Sequence, residues 1–258
     1  MTPASPRWVG DPPLYLTSPL LSEAGLHHLF TTRHFPGVTP PADPSSPFGP
    51  EALALLGPCG LALEPVAFLR QVHGANVILA RRGGLRGKGD VLATDRPGLP
   101  LAVFTADCLP LLIHDPAGGR LAVAHAGWRG TAEAVTRAAA DALVTAGGHP
   151  EDFVAAIGPS IGPCCYEVDA PVIERLERAF GSAWQAWVTR NGPGRWMLDL
   201  WTANEAALVR AGLRAERIDN PRLCTSCRQD LFFSYRRGRG EGRLVAVAAL
   251  PAGRAAAC

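Results

Sequence analysis

Three polar side chains interrupt apolar runs in this 258-residue chain: His73 in RQVHGANV, Cys108 in FTADCLPLL and His125 in AVAHAGWRG. Each lies at or near a turn-forming residue, where a predicted strand ends. Because strand ends can meet at one edge of a sheet, these side chains can come together. Two imidazoles and one thiolate suit zinc, and three protein ligands with an open fourth position are typical of a catalytic zinc site. The residues therefore favour a metal centre formed by His73, Cys108 and His125.

The same side chains permit other interpretations. Cys108 is a candidate nucleophile, with His73 or His125 as its base and a neighbouring imidazolium lowering the thiol pKa. Each residue taken singly also fits a structural role, since a buried cysteine usually packs as a small hydrophobe. The spacing of the three residues does not separate these possibilities, whereas the metal content of the protein would.

Arg129 provides a candidate anion site beside His125. It precedes TAEAVTRAAADALVTAGG, which predicts a helix over 131–146 with Thr131 as N-cap and Gly147 at its end. The dipole of that helix, its free backbone N–H groups and the guanidinium would together attract a phosphate or a carboxylate. Arg236 and Arg237 are further candidate positive charges for the same pocket.

The remaining cysteine motifs carry weaker signals. The loop GPSIGPCCY allows a close backbone approach to a ligand, and Cys164 is the candidate from it for lining the pocket. Cys164 and Cys165 are adjacent, so we expect their side chains to point in different directions and to be poor joint ligands. Cys224 and Cys227 form a CxxC motif, but a structural zinc site usually needs a second one, and the sequence contains none.

Composition limits the function classes. Hydrophobic residues make up 47% and charged residues 19% of the chain, which suits a sizeable core. A net charge of +2 argues against a nucleic-acid partner.

The lack of a long apolar run or a secretory leader predicts a cytoplasmic protein that does not contact membranes. The seven cysteines are then expected to be thiols, ligands or nucleophiles. No His-x-His pair of a trinuclear copper oxidase occurs. The H-x-E and P-C-x-x-C motifs of a cytidine-type deaminase are not matched either, since His125 is followed by Ala-Gly and CTSC is preceded by Leu.

The order of elements predicts one α/β domain over residues 1–258, with an α+β sandwich and a mixed sheet. Strands are expected in LYLTSPLL, LHHLFTTR, VAFLRQVHGANVILA, LAVFTADCLPLLIHD, RLAVAHAG, DFVAAIG, FFSYRR and RLVAVAAL. Helices are expected after Thr131, after Asp169 as N-cap, and in WMLDLWTANEAALVRAGL up to Gly212. Residues 36–60, rich in Pro and Gly, predict a loop with one short helix in EALALL.

Five motifs in order, QVHG, TADCLPLL, AHAGWRG, IGPSIGPCCYEV and LCTSCRQDLFFSYRR, resemble the family known as polyphenol oxidase or laccase-domain proteins. Its members are described as purine nucleoside phosphorylases with adenosine deaminase and methylthioadenosine phosphorylase activity, and one bacterial branch as peptidoglycan editing factor. The resemblance implies a fold similar to cytotoxic necrotising factor-type cysteine hydrolases. It also implies zinc bound by His73, Cys108 and His125, with copper possible in vitro. One departure is that 36–60 lacks the family's Ser-x-Asn-Leu stretch and Gly-Asp turn.

The resemblance therefore implies a zinc-dependent purine nucleoside phosphorylase that also deaminates adenosine. Its small-molecule substrates would be a nucleoside and phosphate, and we expect a monomer or a weak homo-oligomer. Arg129, Gln71 and Cys164 are then the candidate substrate contacts. Asp107, beside Cys108, would protonate the leaving base or orient a metal ligand. The alternatives are a cysteine-dependent amide hydrolase acting on peptidoglycan precursors, and a non-enzymatic partner protein on the same scaffold.

Overall fold

A computed structural model describes residues 5–38, 47–57, 60–61, 66–238 and 242–252. Within these ranges the strands are β1 (Arg7–Val9), β2 (Tyr15–Thr17), β3 (His27–Thr31), β4 (Ala67–Arg70), β5 (Val77–Leu79), β6 (Gly84–Lys88), β7 (Val91–Thr94), β8 (Leu101–Thr105), β9 (Leu109–Asp115), β10 (Arg120–Ala126), β11 (Val154–Ile157), β12 (Glu167–Asp169), β13 (Val188–Arg190), β14 (Arg195–Leu198), β15 (Ile218–Asp219) and β16 (Leu244–Ala249). The helices are α1 (Pro19–Glu23), α2 (Pro50–Leu56), α3 (Trp128–Ala132), α4 (Val135–Thr145), α5 (Ala170–Phe180) and α6 (Leu200–Arg210).

Two mixed sheets form the centre of the fold. The first has the strand order β1-β2-β3-β16-β8-β4-β6, and the second has the order β15-β11-β9-β10-β7-β5. A small third sheet, β12-β14-β13, carries α5 beside it. Antiparallel pairs such as β9 with β10 occur beside parallel pairs such as β4 with β8. The predicted mixed-sheet α+β sandwich is confirmed.

The large sheets pack face to face, and alternation along their strands explains why. In β10, Leu121 and Val123 join the core between the sheets, whereas Ala122 and Ala124 face the core under α4 and α6. Strand side chains alternate between faces, so a strand covered on both faces must be apolar at nearly every position. This places β8, β9 and β10 in the interior and leaves their polar residues only at the strand ends.

The segment predicted as one helix over 131–146 is two helices, α3 and α4. Ala134 between them has a left-handed backbone with φ 61°, which breaks the helical hydrogen-bond pattern. Thr131 therefore lies inside α3 and is not an N-cap, and Gly127 occupies that position without a side-chain hydrogen bond. Gly147 follows the end of α4 with a positive φ, as predicted.

Two other expectations have mixed outcomes. The segment FFSYRR, predicted as a strand, is irregular over 232–234 and forms a turn over 235–237. The short helix expected in EALALL is present as α2, while residues 39–46 and 58–59 of the same loop lie outside the described residues. Among the described residues, no helix combines the length and apolarity needed to cross a membrane.

Candidate functional site

Three strands carry His73, Cys108 and His125 to one place. His73 follows β4, Cys108 lies in the turn between β8 and β9, and His125 is near the end of β10. Because β4 and β8 belong to one large sheet and β9 and β10 to the other, the site lies where the chain crosses between the sheets. The potential ligand atoms are all within 4.8 Å of one another. The centres of the His73 and His125 rings are 4.8 Å apart, and the ring planes are nearly perpendicular.

The turns that present His73 and Cys108 have unusual backbones. His73 has φ 63°, and Asp107, immediately before Cys108, has φ 84°. Residues other than glycine rarely adopt this left-handed region, although His and Asp tolerate it better than most. Such conformations persist where the surrounding structure fixes them, and they concentrate at functional sites.

Asp90, at the start of β7, holds this arrangement together from inside. Its buried carboxylate accepts hydrogen bonds from the backbone N–H groups of Val72, His73 and Gly74 at 2.8 to 3.1 Å. It also contacts Nδ1 of His125 at 2.9 Å. These contacts shape the His73 turn and orient the His125 ring, so that Nε2 of His125 is left as its ligand atom.

Gly127 leaves the space that the site needs. A Cβ at this position would lie 2.9 Å from Cys108 Sγ and 3.3 Å from Cδ2 of His73. Gly127 has a φ of −79°, which any residue can adopt. The requirement for glycine here is therefore close approach and not backbone conformation.

The charges of the centre favour a thiolate beside an imidazolium. Burial opposes ionisation of Cys108, but attraction and hydrogen bonding to His125 and His73 outweigh it and lower the pKa of Cys108 to about 6. Burial likewise opposes protonation of His125, yet the Cys108 thiolate and the Asp90 carboxylate raise its pKa to about 9. A cation bound by the same atoms would take the place of the imidazolium proton.

The residues fit a zinc ion. The donor set is one thiolate and two imidazoles, the ligand atoms are close enough for one ion, and a carboxylate engages the other nitrogen of His125. Three protein ligands leave a fourth position for water or substrate, and the site opens into a cleft. A metal-free thiolate–imidazolium pair is the other state that this geometry permits.

The cleft beside the centre has a volume of about 580 Å³ and a positive lining. His73, Cys108 and His125 border it together with Arg70, Arg129, Arg243, Gln71, Tyr235, Leu69, Phe104, Thr105 and Ala106. Among the described residues that line it, none is acidic. An anionic group would therefore meet three guanidinium side chains close to the candidate metal ligands.

Gln71 lines the cleft, but both polar atoms of its side-chain amide are hydrogen-bonded to the backbone of Phe104. Its Nε2 donates to the carbonyl of Phe104 at 2.7 Å, and its Oε1 accepts from the N–H of Phe104 at 2.8 Å. This pair of bonds joins the end of β4 to β8. Gln71 thus fixes the cleft wall through the backbone.

Asp107 is buried, and both of its carboxylate oxygens accept hydrogen bonds. Oδ1 accepts from the hydroxyl of Thr225 at 2.6 Å, and Oδ2 accepts from the backbone N–H of Arg236 at 2.7 Å. These bonds connect the turn that carries Cys108 to the loop after β15. Asp107 is not among the described residues that line the cleft.

Arg129 lines the cleft. The prediction that it precedes the N-terminus of a long helix, whose dipole would help to bind an anion, is wrong. It is the second residue of α3, a helix of five residues, and not the residue before a long helix. Its guanidinium lies 4.7 Å from the ring centre of Trp128, which orients it by a cation–π contact. Arg236 instead donates to the carbonyl of Glu167 and stacks on Tyr166. Arg237 donates to Ser226.

Cys164 lies outside the cleft, in a cluster with Cys165, Cys224 and Cys227. Their sulfur atoms are all within 4.8 Å of one another. The expectation that the side chains of Cys164 and Cys165 point in different directions is therefore wrong. It failed because the turn from Gly162 to Tyr166 brings both thiols to the CxxC loop.

Sequence reasoning missed Asp90, Arg70, Arg243 and Tyr235. Asp90 had a local signal, since a carboxylate directly precedes the buried run VLAT in GKGDVLAT. Arg70 immediately precedes QVHG. Arg243 and Tyr235 reach the cleft only through tertiary structure.

Residues 52–251 match the model of a family described as multi-copper polyphenol oxidoreductase laccase. The chain belongs to this family. Purine nucleoside phosphorylase YlmD of Geobacillus stearothermophilus is 38% identical over 71% of this chain and 72% of the relative. Purine nucleoside phosphorylase of Deinococcus radiodurans is 38% identical over 81% of this chain and 80% of the relative. Adenosine deaminase RL5, from an unknown prokaryotic organism, is 34% identical over 74% of this chain and 77% of the relative.

Solved structures agree with the laccase-domain assignment. The crystal structure of YlmD from Geobacillus stearothermophilus has a TM-score of 0.83 and 30% identity, and the match covers 95% of this chain and 98% of that one. YfiH from Bacillus licheniformis has a TM-score of 0.80 and 29% identity, covering 94% and 98%. The family resemblance drawn from the five motifs is confirmed, and this laccase-domain chain belongs with enzymes.

Proposed function

We propose that this chain is a zinc-dependent purine nucleoside phosphorylase that also deaminates adenosine. The observation that carries the proposal is that one cleft contains three candidate metal ligands and three arginines. Relatives named for phosphorolysis and for adenosine deamination support it. Adenosine, inosine and methylthioadenosine are the proposed nucleoside substrates.

In phosphorolysis, an oxygen of phosphate forms a bond to the ribose carbon that carries the base, and the bond from that carbon to the purine nitrogen breaks. The products are ribose 1-phosphate and the free base, which takes up a proton. Arg129, with Arg70 and Arg243, would bind the phosphate and hold it against the sugar. Tyr235 offers an exposed ring on which the purine can stack.

In deamination, water adds to the purine carbon that bears the amino group, and ammonia leaves. His73, Cys108 and His125 would hold the zinc ion, which when bound supplies Lewis acidity for activating water. Asp90 keeps the His125 ring in position for this role. Asp107 is proposed to position the Cys108 turn through Thr225 and the Arg236 backbone, because both of its oxygens are already hydrogen-bonded.

Product analysis by mass spectrometry tests the proposal. Purified protein is incubated with adenosine and phosphate beside a Cys108→Ala variant, and each is analysed for metal. We expect adenine and ribose 1-phosphate, together with some inosine, all lost in the variant. Inosine as the sole product would contradict phosphorolysis. No nucleoside product from zinc-loaded protein would contradict the proposal as a whole.

A further inference from the structure

A second cluster of potential ligands lies outside the cleft. Cys164 and Cys165 come from the loop between β11 and β12, and Cys224 and Cys227 come from the loop after β15. We propose that these four cysteines bind a structural zinc ion as a closed tetrathiolate site. This inference goes beyond the proposed function and does not depend on it.

The sulfur positions match such a site. Cys227 Sγ lies 3.4 Å from Cys164 Sγ and 3.5 Å from Cys165 Sγ, and all four sulfurs are within 4.8 Å of one another. With Zn–S bonds of about 2.3 Å, the sulfurs of a regular tetrahedron are about 3.8 Å apart. The two shortest of these distances are a few tenths of an ångström below this value, and no pair is more than 4.8 Å apart, so a zinc ion needs only small side-chain adjustments.

Backbone hydrogen bonds hold the two loops together before any ion binds. Ser160 pairs with Cys224 as a parallel bridge. Its N–H donates to the carbonyl of Leu223 at 3.2 Å, and its carbonyl accepts from the N–H of Thr225 at 3.1 Å. The indole N–H of Trp201 donates to the Ser160 hydroxyl at 2.7 Å. The ligand-bearing loops are thus fixed relative to each other by bonds that do not involve the thiols.

Gly162 adds a feature that suits thiolate ligands. Its backbone N–H points at Cys224 Sγ, with an N–S distance of 3.2 Å. An N–H donor stabilises a sulfur that carries negative charge. A Cβ on Gly162 would collide with the ring of Trp201, so only glycine allows this approach.

A disulfide is the competing use of these residues. A bond between Cys164 and Cys227 would involve two thiols and leave Cys165 and Cys224 without a role. It would also require a two-electron oxidant. Zinc binding uses all four sulfurs and releases only protons. A soft set of four thiolates selects zinc or iron over hard cations, and zinc forms the common closed structural site.

The proposed ion would stabilise the loop that contacts the Cys108 turn. Thr225 lies between the two CxxC cysteines and donates to Asp107 Oδ1 at 2.6 Å. In addition, Ile161 N–H donates to the carbonyl of Asp107 at 2.9 Å. Both loops of the tetrathiolate site therefore contact the residue next to Cys108.

Zinc stoichiometry and X-ray absorption test the proposal on the full chain purified with zinc. The test variant is the double substitution Cys164→Ser and Cys227→Ser, and Cys108→Ser is the matched control in the other site. We expect the double variant to lose one zinc ion per chain and the all-sulfur absorption signal. Cys108→Ser should keep that signal. Unchanged zinc content in the double variant, or iron in place of zinc, would overturn the assignment.

A second measurement on unaltered protein covers the case in which the double variant fails to fold. Cys164 and Cys227 are exposed, so a maleimide reagent can reach them. Bound zinc should slow alkylation of all four thiols at least tenfold, and a chelator should remove this protection. Equal alkylation rates with and without zinc would overturn the proposal, as would a Cys164–Cys227 disulfide in protein purified under reducing conditions.

Discussion

The carboxylate of Asp107 is buried between a hydroxyl and a backbone N–H, and it accepts a hydrogen bond from each. An amide in the same position can still accept from the Arg236 N–H, but it keeps the Thr225 contact only by donating to the hydroxyl oxygen, so that bond must reverse its direction and the negative charge is lost. The two proposed roles of Asp107, positioning and proton transfer, therefore make different predictions for a conservative substitution.

Asp107→Asn should lower kcat roughly 10- to 100-fold, as observed when groups that orient metal ligands are removed. The shape of the pH–rate profile should stay the same, because the carboxylate does not transfer the proton. Steady-state kinetics from acid to alkaline pH would measure both quantities. Loss of one limb of the profile would instead assign proton transfer to Asp107, and full turnover at every pH would remove it from the mechanism.

Arg129 stands in the cleft without the long helix that the sequence predicted behind it. Its proposed role is therefore that of a guanidinium placed by contact with Trp128. A bound phosphate would be attracted to this positive charge because it is an anion, whereas the neutral water used in deamination would not depend on it.

Arg129→Ala should raise the KM for phosphate about tenfold or more, since a charge-assisted hydrogen bond contributes roughly 1.5–3 kcal/mol. Adenosine deamination without phosphate should change much less. Parallel assays of the two reactions on one preparation would give the comparison. An equal loss of rate in phosphorolysis and in deamination would show that Arg129 contacts the nucleoside and not the phosphate. Arg137→Ala, at an exposed ion pair on α4, is the control.

At the scale of elements, the junction of β10 with α3 must bring backbone close to a thiol. Gly127 occupies that junction, and its missing side chain leaves the space that Cys108 Sγ and His73 require. The backbone conformation at Gly127 suits any residue, so substitution tests close approach alone.

Gly127→Ala should lower kcat/KM roughly tenfold or more by displacing Cys108 and His73, because small misplacements of reacting groups are costly. The metal content should fall in parallel. Gly57→Ala is a matched control, since it has a helical φ of −53° and no atom within 4 Å of the added Cβ. Kinetics and metal analysis of both variants would measure the effect. If kcat/KM and metal content change equally little in Gly127→Ala and Gly57→Ala, the site tolerates the extra methyl group.

At the scale of the whole molecule, the two-sheet sandwich buries two histidines, His28 and His114, that do not line the cleft. His28 in β3 accepts from the backbone N–H of Ser18 and contacts the carbonyl of Leu26. Burial lowers the pKa of His28 to about 4, with the neighbouring His114 and His27 acting in the same direction. Burial also lowers the pKa of His114.

The free energy of unfolding should therefore fall as the pH drops from about 6.5 to 4. In this range the unfolded chain protonates His28 and the folded chain does not, so acid favours unfolding. The contribution of His28 is up to about 3 kcal/mol. Asp219, whose pKa is raised by burial, acts in the opposite direction near its own pKa.

Denaturant unfolding of the wild type and of His28→Gln at several pH values would measure this. The variant should show a shallower dependence between pH 6.5 and 4, whereas His149→Gln, at an exposed histidine, should follow the wild type. Equal slopes for His28→Gln and the wild type would show that His28 is not the group responsible.

The local sequence was sufficient for most strands and for the three ligands of the candidate metal centre. Apolar runs such as LAVFT and RLAVAHA are typical of strands covered on both faces, and a buried polar residue at the end of such a run needs a hydrogen-bonding partner or a ligand. The residue pattern therefore drew attention to His73, Cys108 and His125, while the family resemblance was needed to propose them as zinc ligands. The α3–α4 break was not predictable, because alanine has no local preference for the left-handed backbone at Ala134.

Tertiary structure alone decided which distant residues share a site. Asp90, just before β7, contacts His125 of β10, and Arg243, just before β16, lines the cleft. Cys164 lies next to Cys227, which is 63 positions away in the chain. Local patterns report which face of a strand is buried, but they carry no information on which loops the sheet order brings together. The sequence by itself thus determined the candidate ligands and the strands that carry them. The packing of two sheets decided the cleft, its charge and the second cysteine cluster.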